Sequence, residues 1–215
     1  MKKINLRRVF HGSPTVIDEF NYRFISQGSD ELGWGFYFTT MIEDALTYAL
    51  IDKDRQFPAE IELNPTVHTV SLDLKNPMFS DLETDLSLEQ ASMLIAMAPI
   101  ESMQSGLEGW PEMDTLPLAE VIVIAAKAYT GRRNLMRILF SLANDFYGDD
   151  AQTFLGAVHK VLHFDGLIHR ATNDFHHVVA WFPEQITILK RQSRDQVCAL
   201  IEARQCQLLT DGKTP

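Results

Sequence analysis

The order of secondary-structure patterns along the 215-residue chain predicts an α+β fold class. Segments in which apolar and polar residues alternate, as in strands with one solvent-exposed face, lie near both ends of the sequence. Segments with a helical spacing of apolar residues fill the middle. This order indicates a single domain over 1–215 that carries a mostly helical insertion or subdomain at about 77–162.

The first part of the chain is expected to form strands, a turn and one helix. A strand over 7–10 leads into the His-Gly-Ser-Pro turn of 11–14. After a polar loop, two glycines free the backbone before a short aromatic strand at 36–39. A helix follows to about residue 51, with Thr40 as its expected N-cap. Two further strands are expected at 59–63 and 67–74.

The middle and the end of the chain are expected to form four helices, three strands and a C-terminal helix. Helices are expected at 86–97, 116–128, 132–144 and 151–162. The largely apolar run 119–128 fits either a buried helix or a buried strand, and its alanines favour the helix. Later strands are expected at 165–169, 176–182 and 185–189, before a C-terminal helix at about 194–209 and a loose tail.

Composition and charge argue against several classes of protein. No window approaches the ~18 consecutive apolar residues of a membrane helix, so no membrane partner is expected. The basic N-terminus lacks the apolar segment of a signal peptide, and Cys198 and Cys206 form no disulfide or metal framework. A cytoplasmic protein, able to act in a cell into which it is delivered, is the expectation. The net charge of −10 disfavours general binding to nucleic acid.

Two tyrosines flank the glycine–aromatic stretch at 33–40. Tyr37 lies near the end of the predicted strand, and Tyr48 lies on the first turns of the following helix. The two rings could form the walls of a slot that suits a flat aromatic ligand. The alternative is that both tyrosines are core residues.

Three motifs carry a family resemblance. The first is the Val-Phe-His-Gly-Ser segment at 9–13, and the second is Gly-Trp-Gly-Phe-Tyr-Phe at 33–38, with Tyr48 eleven residues after Tyr37. The third is Gln185 after an apolar strand, with His177 eight positions before it. In this order they resemble the ADP-ribosyltransferases of the diphtheria-toxin and poly-ADP-ribose-polymerase branch. The resemblance covers about 7–75 and 163–190 and implies a split pair of small, bent β-sheets around an NAD-binding cleft.

The resemblance also implies roles for individual residues. His11 would bind the adenosine ribose of NAD, and the Gly12 backbone would hold the nicotinamide carboxamide. Tyr37 and Tyr48 would stack on the nicotinamide ring, whose positive charge such stacking tolerates. NAD would be a substrate, and no metal is expected. The implied contacts to NAD also involve Ser13, Phe38 and Ala45.

The chain departs from the family pattern at two positions. The family commonly has a serine where this chain has Ala45, so one hydrogen bond to the carboxamide is missing. The catalytic glutamate of the chain-elongating members is replaced by His177, which can accept a hydrogen bond but brings no fixed negative charge. Glu184 is the second choice for that role. The expected activity is therefore transfer of a single ADP-ribose by His11, Tyr37 and His177, without polymer formation.

The acceptor and the biological role are open at this point. A protein acceptor is favoured over nucleic acid, and the size of the chain fits a bacterial or phage toxin or effector with an inhibitor or antitoxin partner. One alternative is an inactive module that binds NAD or ADP-ribose. Another is a metal-dependent hydrolase or nuclease built on His159 and His163, although Lys160 stands where a His-Glu-x-x-His zinc helix has glutamate.

Overall fold

The structure is a computed structural model that describes residues 6–25, 32–51, 63–108, 110, 115–172 and 175–210. The described residues contain seven α-helices and seven β-strands, so the coarse prediction of a mixed helix-and-sheet protein is confirmed. No helix in the described ranges is both long enough and apolar enough to cross a membrane. The chain divides into two compact units, which we describe separately.

The first unit comprises Met1–Phe20, Tyr37–Leu74 and Ala171–Pro215. Its strands follow the order β6-β2-β1-β3-β7. Their bounds, and those of the two helices, are β1 Val9–Ser13, β2 Phe36–Thr39, α1 Ile42–Ile51, β3 Thr66–Leu72, β6 His176–Ala180, β7 Ile186–Ser193 and α7 Arg194–Thr210. Strand β2 belongs to this unit from Tyr37 onward. Strand β3 pairs antiparallel with both β1 and β7.

Helices α1 and α7 bury one face of this sheet. Phe10 of β1, Ala45 of α1, Val67 of β3 and Val197 of α7 form a buried apolar cluster. Partly buried side chains of both helices pack against it: Ile42, Leu46 and Ile201. We call the side of the sheet that carries this cluster the α1 face.

The second unit comprises Asn21–Phe36 and Lys75–Arg170. Its elements are β4 Met78–Phe79, α2 Leu88–Ala96, α3 Ile100–Leu107, α4 Leu118–Ala126, α5 Leu135–Phe146, α6 Ala151–Leu162 and β5 Gly166–Arg170. Strands β4 and β5 pair in parallel. The apolar core includes the edge-to-face contact of Phe154 with Trp34 and with Tyr147, whose hydroxyl donates to the Leu94 carbonyl.

Several sequence predictions need correction. The short helix α3 was missed, since no helix was predicted between residues 97 and 116. In the structure a β-carbon at Gly106 would lie 2.1 Å from the Asp145 carbonyl oxygen, so the glycine lets α3 approach α5. The two-residue strand β4 was also missed. The run 119–128 forms helix, as its alanines indicated.

The glycine–aromatic stretch adopts the backbone that its glycines allow. Gly33 and Gly35 have φ angles of 85° and 147°, which other residues rarely adopt. Helix α1 begins at Ile42, so Thr40 precedes the N-cap position, and its hydroxyl accepts a hydrogen bond from the His176 N–H. The strand predicted over 59–63 lies, apart from its last residue, outside the described residues, as does most of the predicted tail.

Candidate functional site

Strand β1 continues through the His-Gly-Ser segment that the sequence analysis placed in a turn. Because side chains alternate along a strand, Gly12 lies on the α1 face with Phe10, and His11 lies on the opposite face. Strand register supports this, since Gly12 is opposite Val67 and His11 is opposite His68. The two neighbouring motif residues therefore have different surroundings.

Gly12 lies directly under helix α1. A β-carbon at this position would be 1.7 Å from the Ala45 carbonyl oxygen and 2.8 Å from the Ala49 nitrogen. Ala45 and Ala49 are themselves buried, so small side chains let the helix and the strand come close. The structure thus supplies a packing reason for glycine at 12, and it buries the Ala45 side chain against the sheet.

His11 bridges a separation between β1 and β2. The two strands share one residue pair, Phe10 with Thr39, within their described lengths. Beyond that pair, His11 Nδ1 donates a hydrogen bond to the Tyr37 carbonyl oxygen at 2.7 Å. A carbonyl only accepts, so the proton of the neutral ring is on Nδ1. The rings of Phe20 and Phe38 pack against the imidazole, and burial lowers the pKa of His11.

A row of basic side chains crosses the sheet on the face opposite α1. His11, His68 and Arg191 occupy paired positions on β1, β3 and β7. His68 Nε2 accepts a hydrogen bond from the Ile17 N–H, and Arg191 donates to the Ile17 and Asp18 carbonyl oxygens. The loop after β1 therefore covers this row.

Burial of the row keeps its histidines neutral. Desolvation, with smaller contributions from the nearby His11 and Arg191, lowers the pKa of His68 to about 4. His68 Nδ1 is buried without a hydrogen-bond partner of good geometry in the described chain, although the His11 backbone lies close enough to raise the pKa slightly. The loop after β1 thus covers the two histidines, whereas the Arg191 side chain at the end of the row is 41% exposed.

Two other predicted site residues belong to the same covered face. Ser13 is buried, and its hydroxyl accepts a hydrogen bond from the Thr15 N–H, which shapes the turn after β1. Phe38 is buried against the rings of His11 and Phe20. Both have clear packing roles.

The predicted site residues on the α1 face include a more accessible side chain than those on the opposite face. Because Phe38 faces His11, alternation directs Tyr37 to the α1 face. Tyr48 is 47% exposed, and the centroid of its ring lies 6.3 Å from that of His177 in an edge-to-face arrangement. The Phe175 ring also contacts His177, and the centroids of the two rings lie 4.7 Å apart. The structure thus brings together Gly12, Tyr37, Tyr48 and His177 on one face.

Asp44 joins this group and was not predicted. Its Oδ2 lies 4.0 Å from His177 Nδ1 and is buried with no hydrogen-bond partner among the described residues. Asp44 and Tyr48 are four residues apart on α1 and so share a side of the helix. That spacing was a signal in the sequence, but only the fold shows that His177 lies opposite. We call Asp44, Tyr48, Phe175 and His177 the α1-face cluster.

Glu184 lies away from this cluster. It is exposed in the 3-10 turn after β6, whereas His177 is near the beginning of that strand, so the length of the strand separates them. Gln185 Oε1 accepts hydrogen bonds from the Trp181 and Phe182 N–H groups, and its carbonyl accepts one from Asp73. Gln185 therefore holds the β6–β7 turn, and His177 is the better placed of the two candidates.

His159, His163 and Asp165 have structural roles within the second unit. His159 Nδ1 donates to the Phe164 carbonyl, and His163 ends helix α6 in the left-handed conformation, with φ of 62°. Both oxygens of buried Asp165 accept backbone hydrogen bonds, from Lys75 at 2.6 Å and Asn76 at 2.9 Å. Across the described ranges, no group of three or more His, Cys, Asp or Glu side chains could hold a metal ion.

Comparison of this chain with models of protein families, with curated proteins and with solved structures found no match.

Proposed function

We propose that this protein is an NAD-dependent mono-ADP-ribosyltransferase. It would move one ADP-ribose from NAD to an acceptor, with a protein as first choice, and release nicotinamide. One observation carries the proposal. Gly12, Tyr37, Tyr48 and His177 come from three separate parts of the sequence, and all four lie on the α1 face of one sheet.

The exposed Tyr48 ring supports the binding of a flat cation. A half-exposed aromatic face can stack on the nicotinamide ring, and its negative quadrupole favours the positive charge of that ring. Tyr37 would provide the second wall of the slot. Held between the two rings, NAD would present the bond between its ribose and nicotinamide to His177, and such positioning supplies much of the rate in group transfer.

The strands of the first unit follow one continuous order, β6-β2-β1-β3-β7, and the short join between β1 and β2 is the feature that supports the finer prediction of a split pair of sheets. Strands β1 and β2 share one residue pair, and the side chain of His11 bridges the opening that follows. His11 lies on the face of the sheet opposite Tyr48 and His177, and its Nδ1 atom donates to the Tyr37 carbonyl oxygen. We therefore assign it the positioning of β2 rather than the predicted contact with the ribose.

The wider role is proposed by analogy with the same family. A toxin or effector that acts on NAD in the cytoplasm, controlled by an inhibitor or antitoxin protein, fits a chain of this size. Polymer formation is not proposed, because His177 brings no fixed negative charge to the position of the chain-elongating glutamate.

Release of nicotinamide from NAD tests the proposal. Purified protein is incubated with NAD and cell lysate, and nicotinamide is measured by chromatography. Tyr48→Ala should lower release about tenfold or more, the factor that about 1.4 kcal/mol of lost stacking produces. Phe140→Ala is a matched control, because Phe140 is 46% exposed on α5 of the second unit, and it should leave release unchanged. Equal release by wild type and Tyr48→Ala would refute the slot.

A binding module without turnover is the second candidate. The observation that favours it is the replacement of a catalytic carboxylate by His177. Calorimetry that detects NAD or ADP-ribose binding, lost in Tyr48→Ala, together with no release of nicotinamide by the wild type, would select this candidate over the enzyme.

A further inference from the structure

The carboxylate of Asp44 on α1 faces the imidazole of His177 on β6. We propose that Asp44 is a positioning residue, which fixes the proton of neutral His177 on Nδ1 and makes Nε2 the atom that accepts the proton of the acceptor nucleophile. This inference rests on the proposed function for its chemistry. Its structural part, the coupling of Asp44 to His177, can be tested without turnover.

The geometry of Asp44 carries the inference. A carboxylate oxygen removed from water is unfavourable unless a hydrogen bond or a charge compensates it. Asp44 Oδ2 is buried without such a hydrogen bond in the described chain, and His177 Nδ1 lies 4.0 Å from it. A hydrogen on Nδ1 places the positive end of the imidazole dipole toward this oxygen. Asp44, Tyr48 and the Phe175 ring all face His177.

The helix dipole does not explain this arrangement by itself. An acidic residue in the first turn of a helix is favourable, and α1 has two, Glu43 and Asp44. Glu43 also lies 3.8 Å from Arg204 of α7. Asp44 differs from Glu43 because its oxygen is buried beside a histidine of another element. The pair thus provides an internal comparison on one helical turn.

The proposed step balances without a further reagent. The bond between C1′ of the ribose and the nicotinamide nitrogen breaks, and its electron pair stays with nicotinamide. A lone pair of the acceptor forms the new bond to C1′, and the proton of the acceptor passes to His177 Nε2 and then to water. Asp44 stabilises the imidazolium that forms. His177 and Asp44 side chains are 19% and 26% exposed, so an acceptor and water can reach them.

Nitrogen-15 NMR of labelled histidine tests the coupling directly. At a pH where the ring is neutral, wild-type His177 should be the Nδ1–H tautomer, and Asp44→Ala should shift it toward Nε2–H, the usual form in solution. Glu43→Ala is the control and should leave the tautomer unchanged. If Asp44→Ala does not fold, Asp44→Asn, which keeps the shape and removes the charge, should show the same direction of change. An unchanged tautomer in the folded variant overturns the inference.

Nicotinamide release separates this inference from the proposed function. Asp44→Ala should lower kcat about a hundredfold with the KM for NAD unchanged, and Asp44→Glu should recover part of it. A variant that loses only NAD affinity would refute the positioning role. Wild-type protein that releases no nicotinamide while its tautomer depends on Asp44 would overturn the function and keep the pairing. Wild-type protein that releases nicotinamide, but whose His177 tautomer does not change in Asp44→Ala, would overturn the pairing and keep the function.

Discussion

Replacement of Gly12 by alanine tests how β1 and α1 are packed. The new β-carbon would lie 1.7 Å from the Ala45 carbonyl oxygen, whereas real contacts of this kind are essentially never below 3.0 Å. The helix or the strand must therefore move by at least the difference, 3.0 − 1.7 = 1.3 Å. The clashing atoms belong to the backbone of α1, so no side chain can rotate away. Overpacking of this kind costs about 1–3 kcal/mol, and backbone contact favours the upper end.

Thermal unfolding followed by circular dichroism measures the effect. For a chain of this size, each kcal/mol changes Tm by about 2–4 °C, so a loss of about 3 kcal/mol lowers Tm by about 6–12 °C. Gly156→Ala is the matched control, since nothing lies within 4 Å of its added β-carbon in the middle of α6. It should raise Tm by about 2–4 °C through better helix propensity. A Tm of Gly12→Ala equal to that of the wild type would refute the packing explanation.

Two further predictions concern stability. Because the pKa of His68 is about 4 in the folded chain and 6.5 without its surroundings, the unfolded chain binds the proton first as the pH falls. The free energy of unfolding should decrease by roughly 3 kcal/mol from pH 6.5 to 4, and urea titrations should show a flatter profile for His68→Gln. Gln185→Ala removes the acceptor of two backbone N–H groups and should lower the free energy of unfolding by about 1–3 kcal/mol. The neighbouring Glu184→Ala is the control and should change it by less than about 0.5 kcal/mol. Urea titrations measure both.

Local patterns were enough to find most of the elements. The aromatic strand at 36–39 has the predicted bounds, and the helix after it begins one residue later than predicted and ends at the predicted residue, because glycines and helical spacing are encoded within a few residues. Helix α3 was not predicted, and its Gly106 destabilises an isolated helix but permits close packing against α5 in this one. Whether a glycine ends an element or allows contact depends on a second element, which a local pattern does not contain.

The site could be predicted only in part for the same reason. Tyr37, Tyr48 and His177 were found from their motifs, and all three lie on the α1 face. Asp44 was missed, since its significance depends on a histidine that is distant in sequence. His11 was placed beside Gly12 at a strand end, but β1 continues through both, and alternation sends them to opposite faces.

Gly12 and His11 therefore act on the α1 face by different routes. Gly12 sets how close α1 lies to the sheet, and α1 carries both Asp44 and Tyr48. His11 donates a hydrogen bond to the carbonyl of Tyr37 from the opposite face of the sheet, and so fixes the strand that carries the other wall of the proposed slot. A larger residue at 12 should lift Tyr48 and Asp44 together away from His177. We therefore expect Gly12→Ala to shift His177 away from the Nδ1–H tautomer although Asp44 is intact. An unchanged tautomer would mean that α1 can shift without moving Asp44 relative to His177.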